Sequence, residues 1–163
     1  MNHSRQNLTL GILRIGFGLV LLWAFFDKLL GLGFGTVRGN AWINGISPTK
    51  EFLQNETSGI FINFYYWLSN FAIIDWLFML GLFGIGISLT FGIANKLGTY
   101  LGFTLFILMW AGNLPPTHHP FIEKQLIYAI TLLVIFHFKG NEYLGFGKKW
   151  KNLKIVKNNK WLE

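Results

Sequence analysis

The sequence contains no cysteine. That excludes disulfides, thiolate metal sites, cysteine-held iron–sulfur clusters and a cysteine nucleophile in this chain. Any thiol-based sulfur chemistry must come from a partner. Charge is scarce as well: Asp, Glu, Lys and Arg make up 13% of the residues, against about 25% in soluble domains. Acids are the rarer sign, 7 against 14 Lys and Arg. With 52% hydrophobic and 18% aromatic residues and a mean hydropathy of +0.43, lipid is the economical solvent. The length of 163 residues suits one domain.

What the sequence has in place of charge is apolar length. A transmembrane helix needs about 20 apolar residues. Leu8–Phe26 supplies nineteen, counting Arg14, and Trp76–Ala94 supplies nineteen without a charge. Leu97–Pro116 is twenty without a charge, although Pro115-Pro116 should end its helix near Gly112. Gln125–Phe138 has fourteen between Lys124 and Lys139, and crosses if both lysines snorkel. The expectation is an all-α, four-helix transmembrane bundle with spans at about 8–28, 75–94, 97–113 and 122–139. Residues 1–147 form the membrane domain and 148–163 a basic tail, amphipathic or disordered.

Thr57–Ile74 is also uncharged and is the candidate for a fifth crossing. Its Ser, Asn and Thr, with many aromatics, better suit a helix lying at headgroup level within a long first external loop. Four spans put both termini and the Asn95-Lys96 turn on one side, with Arg5, Lys139 and the tail lysines. The positive-inside rule makes that side the cytoplasm. The first apolar run exceeds a signal-peptide core and lacks an A-x-A-like site, so it is expected to be retained.

Net charge is +7, and residues 140–163 hold six lysines against two glutamates. Beside a membrane domain, anionic lipid or an acidic partner is the expected counterpart of that tail, rather than nucleic acid.

Arg14 stands about 9 Å inside the first span. Such an arginine snorkels as an anchor or faces the bundle interior. There it could contact an anion or a quinone oxygen, or bond to Ser88, Thr90 or exposed carbonyls near the end of the second span. At 100° per residue Gly11, Arg14, Gly18, Leu21, Phe25 and Lys28 share a stripe from which Asp27 points away. Gly81, Gly84, Ser88 and Gly92, like Gly98 and Gly102, recur at helical steps and suit close helix packing. Asp75 and Trp76 open the second span, where an acid and an interfacial tryptophan are favourable. Asp27, Lys28 and Asp75 should all lie near the external surface, where they could form a polar floor beneath the long loop. His118, His119 and Glu123 lack any zinc spacing and read as a solvated loop, with weak metal binding or proton handling as the alternative. His137 has no intramembrane histidine to pair with for a haem.

The blocks LRIGFGLVLLWAFFDKLLGLGFGT, AWINGISPTKEFL, DWLFMLGLFGIGISLTFGI, NLPPTHHPFIEKQLIYA and GNEYLGFGKKW occur in that order over residues 13–150. In this series the chain resembles the DoxX/DoxD family of small membrane proteins. The resemblance implies a four-helix membrane bundle related to the membrane subunit of thiosulfate:quinone oxidoreductase. That enzyme oxidises external thiosulfate to tetrathionate and reduces quinone. Arg14, Asp27, Lys28, Trp42, Asn44, Ser47, Pro48, Asp75, Trp76 and Tyr128 match the family's pattern. Where relatives often carry Asp-His before LIYA, this chain has Lys124-Gln125.

Two functions follow as expectations. The first is a subunit of a quinone-linked oxidoreductase acting on thiosulfate or a related sulfur anion. Arg14, Asp27, Lys28 and Asp75 are its catalytic candidates. Arg14, Lys28, Trp42, Asn44, Asp75, Trp76 and Tyr128 are candidates for binding substrate or quinone, with Lys28, Arg38 and Lys50 attracting the anion. Quinone serves as electron acceptor, with no covalent cofactor, and a second oxidoreductase subunit is an expected partner. The second is a noncatalytic membrane anchor recruiting a soluble redox or sulfur-handling partner. A homo-oligomer is compatible with either.

Overall fold

The computed structural model describes residues 3–116, 121–139 and 143–162. Its first element, α1 (His3–Leu30), runs about 42 Å, longer than the expected span at both ends. A long, glycine-punctuated loop with many polar residues follows, with a 3₁₀ turn at Trp42–Asn44 and a π-helical turn at Phe52–Glu56. Next come α2 (Ile62–Leu68), α3 (Ala72–Phe91), α4 (Asn95–Ala111) and α5 (Lys124–His137). Two short helices, α6 (Gly147–Lys151) and α7 (Lys154–Asn158), lead to a 3₁₀ turn at Lys160–Leu162. No strand occurs among the described residues.

Local chemistry explains the boundaries. α3 stops because Gly92 takes a left-handed conformation (φ 71°), which lets the N–H groups of Gly92 and Ile93 both return to the Ser88 carbonyl. α4 stops at Gly112, ahead of Pro115-Pro116, where the proline pair led us to expect it.

α1 lies along α3, α4 along α5, and a narrower α3–α4 contact joins the two pairs. Leu21, Met79, Leu82, Ile85, Leu89, Phe106, Ala129 and Leu132 form the shared core. Of the residues sharing a stripe on α1, Gly11, Arg14, Gly18 and Leu21 are buried, while Phe25 and Lys28 are half-buried. A Cβ on Gly18 would lie 2.5 Å from the Thr90 nitrogen, and one on Gly86 2.8 Å from Leu22. α1 and α3 therefore meet backbone to backbone, as small residues permit.

Two helices, Arg5–Leu30 and Ala72–Phe91, are long and apolar enough to cross a membrane. Only 22% and 39% of their most apolar stretches are buried within the structure. α4, with 17 residues, and α5, with 14, span about 26 and 21 Å, less than the roughly 30 Å of hydrocarbon. The Thr57–Ile74 segment is divided: α2 has 7 residues, about 10 Å, which does not reach across a bilayer. The tail is not one amphipathic helix. It breaks at Leu153, buries Val156, and sets Trp161 5.6 Å from the Lys96 ammonium.

Candidate functional site

Between α3 and α4 lies a cavity of about 1040 Å³. Its shape follows from how the two antiparallel helices separate. Near the Gly92 end they touch: a Cβ on Gly98 would lie 2.1 Å from Ser88 Oγ, and one on Gly102 3.2 Å from Ile85. One to two turns closer to Asp75, a Cβ on Gly81 meets no described atom within 4 Å. The helices thus form a wedge, closed at one end and open at the other. Its walls are Leu77, Leu80, Gly81 and Ile85 from α3, and Leu101, Thr104, Leu105 and Leu108 from α4.

The loop between α1 and α2 roofs the open end. Ser47, Thr49, Lys50, Glu51, Gln54 and Asn55 line it there, with Lys28 at the end of α1 and Tyr65 of α2. The roof is fastened on both sides. On α3, Asp75 Oδ1 accepts bonds from Ser47 Oγ (2.7 Å), Thr49 Oγ1 (2.5 Å) and the Thr49 N–H (3.3 Å). On α4, Tyr65 Oη donates to the Leu108 carbonyl at 2.6 Å. The Ser58 and Ile60 N–H groups donate to the carbonyls of Gly112 and Leu114. Gly59, at φ 79°, sits so close that a Cβ would strike the Leu114 carbonyl, so this crossing requires glycine. Burial pushes the Tyr65 phenol above its usual range.

The structure distributes the predicted residues over several places. Lys28, Ser47 and Pro48 line the cavity. Asp75 is buried beside it and holds its roof. Trp42 and Trp76 pack edge to face at 4.6 Å, bracing the loop against the start of α3. Asn44 donates to the Gly39 carbonyl at 3.2 Å and keeps that turn closed.

Asp27, which lies off the α1 stripe, is buried. Its carboxylate accepts the N–H groups of Phe34 (3.1 Å) and Gly35 (2.9 Å), folding the loop back over the end of α1. A helix face predicts direction from the axis, and the loop covers that direction from outside. Tyr128 lies apart, its ring 5.4 Å from Phe17 and 5.5 Å from Phe106, a seam of α1, α4 and α5.

Arg14 does not snorkel: it is 0% exposed. Its guanidinium donates to the carbonyls of Leu89 and Thr90 at the end of α3, and to those of Tyr143 and Leu144. These are the exposed carbonyls anticipated near the end of the second span, joined by two from beyond α5. Fourteen residues of helix, about 21 Å, separate Arg14 from Lys28, so the two belong to opposite ends.

His118 and His119 lie outside the described residues. Glu123 precedes α5, and no group of three His, Asp or Glu residues suited to a metal occurs among the described residues. Gln125 is buried with its Oε1 unpartnered. The cavity residues that sequence reasoning missed, chiefly Tyr65, Gly81 and the Phe52–Glu56 turn, carried no chemical signature. Only the π-helical turn, a form frequent at functional sites, marks the place, and it is visible only in three dimensions. No family model, curated protein or solved structure matches the chain.

Proposed function

We propose that this chain is a four-span membrane protein of the DoxX/DoxD type, a subunit of a quinone-linked oxidoreductase acting on thiosulfate or a related sulfur anion. The observation that carries the reading is the α3–α4 cavity, apolar along the helices and polar under the roof. Its volume lies at the upper end of small-molecule sites. A quinone has the matching form, a ring with two carbonyl acceptors joined to an apolar chain. Lys28 and Lys50 at the roof offer donors to a carbonyl oxygen and attract an anionic sulfur substrate from the external side. Two thiosulfates joining as tetrathionate release two electrons, which with two protons convert quinone to quinol.

The outward-facing apolar residues of α1 and α3 support membrane residence. α4 and α5 complete the crossing with the lysines at their ends snorkelling. The cytoplasmic side is then the one carrying Arg5, Lys96, Lys139 and the tail lysines. The test is thiosulfate-dependent reduction of a quinone analogue by the purified chain, alone and with the product of a neighbouring gene. Turnover in either preparation is the expected result. No turnover with folded protein in both overturns the enzymatic reading.

A second reading, a noncatalytic anchor for a soluble redox partner, is favoured by the structural employment of Arg14, Asp27 and Asp75. Each of these three charges is bonded into the fold. Lys148→Gln with Lys149→Gln and Lys154→Gln should then abolish co-purification of that partner while leaving membrane insertion intact. Recovery of the same partner with all three changes rejects the anchor.

A further inference from the structure

The roof explains where a polar headgroup sits; it does not explain why the wedge continues past it along α3 and α4. Gly81 lies in that continuation, and a side chain there would have room, since no described atom approaches a Cβ within 4 Å. Glycine in a helix interior costs roughly 0.5–1 kcal/mol relative to alanine, and here close packing does not repay it. At Gly98 it does, because Ser88 occupies the space. Flanking the gap, Leu80 is 60% exposed and Leu101 50% exposed, so the wedge opens sideways through the outer face of the helix pair.

We infer that the α3–α4 wedge is a lateral channel for the apolar chain of a membrane-dissolved ligand, and that the missing side chain of Gly81 keeps it open. The ligand class is a polar ring or headgroup bearing a long prenyl or alkyl chain. The headgroup lies under Lys28 and Ser47, and the chain passes Gly81 toward Leu101 and leaves into lipid. This inference rests on the quinone-site reading and adds to it the direction of access and the residue that reads the chain. Gly84 supplies an internal control. It also meets no described atom within 4 Å of a Cβ, but it does not line the cavity.

The experiment uses the full-length chain in lipid nanodiscs and two photoreactive quinone analogues. One carries a diazirine on the ring and the other at the end of a long alkyl chain, and cross-linked residues are mapped by mass spectrometry. The ring probe should label residues 47–54 and the chain probe residues 77–85 and 101–108. Gly81→Leu should reduce chain-probe labelling in that seam by about tenfold, the effect of displacing about two methylenes. Gly84→Leu should leave it unchanged. Chain labelling on α1 or α5, or equal labelling in Gly81→Leu and the unaltered chain, overturns the channel while ring labelling keeps the site. If neither probe is displaced by excess unlabelled quinone, the quinone-site reading itself fails and the channel with it. The map on the unaltered chain decides the matter even if Gly81→Leu does not fold.

Discussion

Arg14 Nη2 donates to the carbonyl oxygen of Tyr143 at 3.1 Å, joining residues 129 positions apart. The same guanidinium serves the Leu89 and Thr90 carbonyls, so one side chain fixes the end of α3 and the segment beyond α5 to α1. Helix ends leave carbonyls without intrahelical partners, and a planar fork of donors satisfies several at once.

Arg14→Leu should therefore destabilise the protein by about 3 kcal/mol, the cost of orphaning buried acceptors that had a charged donor. Arg14→Lys should recover only part of that loss, because an ammonium cannot span both groups of carbonyls. Thermal unfolding in detergent measures the difference. Limited trypsin digestion should also cut the Lys148–Lys157 region faster in Arg14→Leu. Equal stability of both variants and the unaltered chain would contradict the clamp.

Asp75 holds the roof by its carboxylate. Asp75→Ala removes the acceptor for Ser47 and Thr49 and should cost about 2 kcal/mol. It should also weaken quinone-analogue binding several-fold. Asp75→Asn keeps an oxygen at the Oδ1 position and should fall between. Binding isotherms alongside melting curves separate a loosened roof from a lost fold.

Glycines that look alike in sequence should behave oppositely. Gly98→Ala places a methyl against Ser88 and should destabilise by about 1–3 kcal/mol. Gly84→Ala meets open space and should stabilise by roughly 0.5–1 kcal/mol through helix propensity. Chemical denaturation of the two variants in one detergent checks the sign.

Tyr65 predicts a pH effect. Its phenol is raised by burial, so the folded state holds the proton more tightly than the unfolded chain does. The stability tied to that proton is complete below the ordinary tyrosine value of 10.0 and is lost as pH rises through the raised value. Tyr65→Phe should flatten this alkaline decline and, by losing the bond to Leu108, cost about 1 kcal/mol at neutral pH. Melting temperature against pH for both proteins tests the sign.

The missing cysteine gives a further test. Iodoacetamide should leave any thiosulfate–quinone activity of the purified chain unchanged, since no thiol is present to alkylate. Inhibition by that reagent in a reconstituted mixture would place the reactive thiol on the partner.

Hydrophobic length and helical spacing on their own determined the apolar helices, the stop before Pro115-Pro116 and the shared face of Gly11, Arg14, Gly18 and Leu21, because these depend on neighbours within one helix turn. Tertiary structure alone decided what each face meets. Arg14 could have turned to headgroups, but carbonyls from two distant segments close over it. Asp27 left the helix stripe yet became buried because a loop returned. Gly81 and Gly98 carry the same local signal, and only the divergence of α3 from α4 makes one an opening and the other a contact. Periodicity specifies a direction from a helix axis; the distance to the next helix is set by every side chain packed between them.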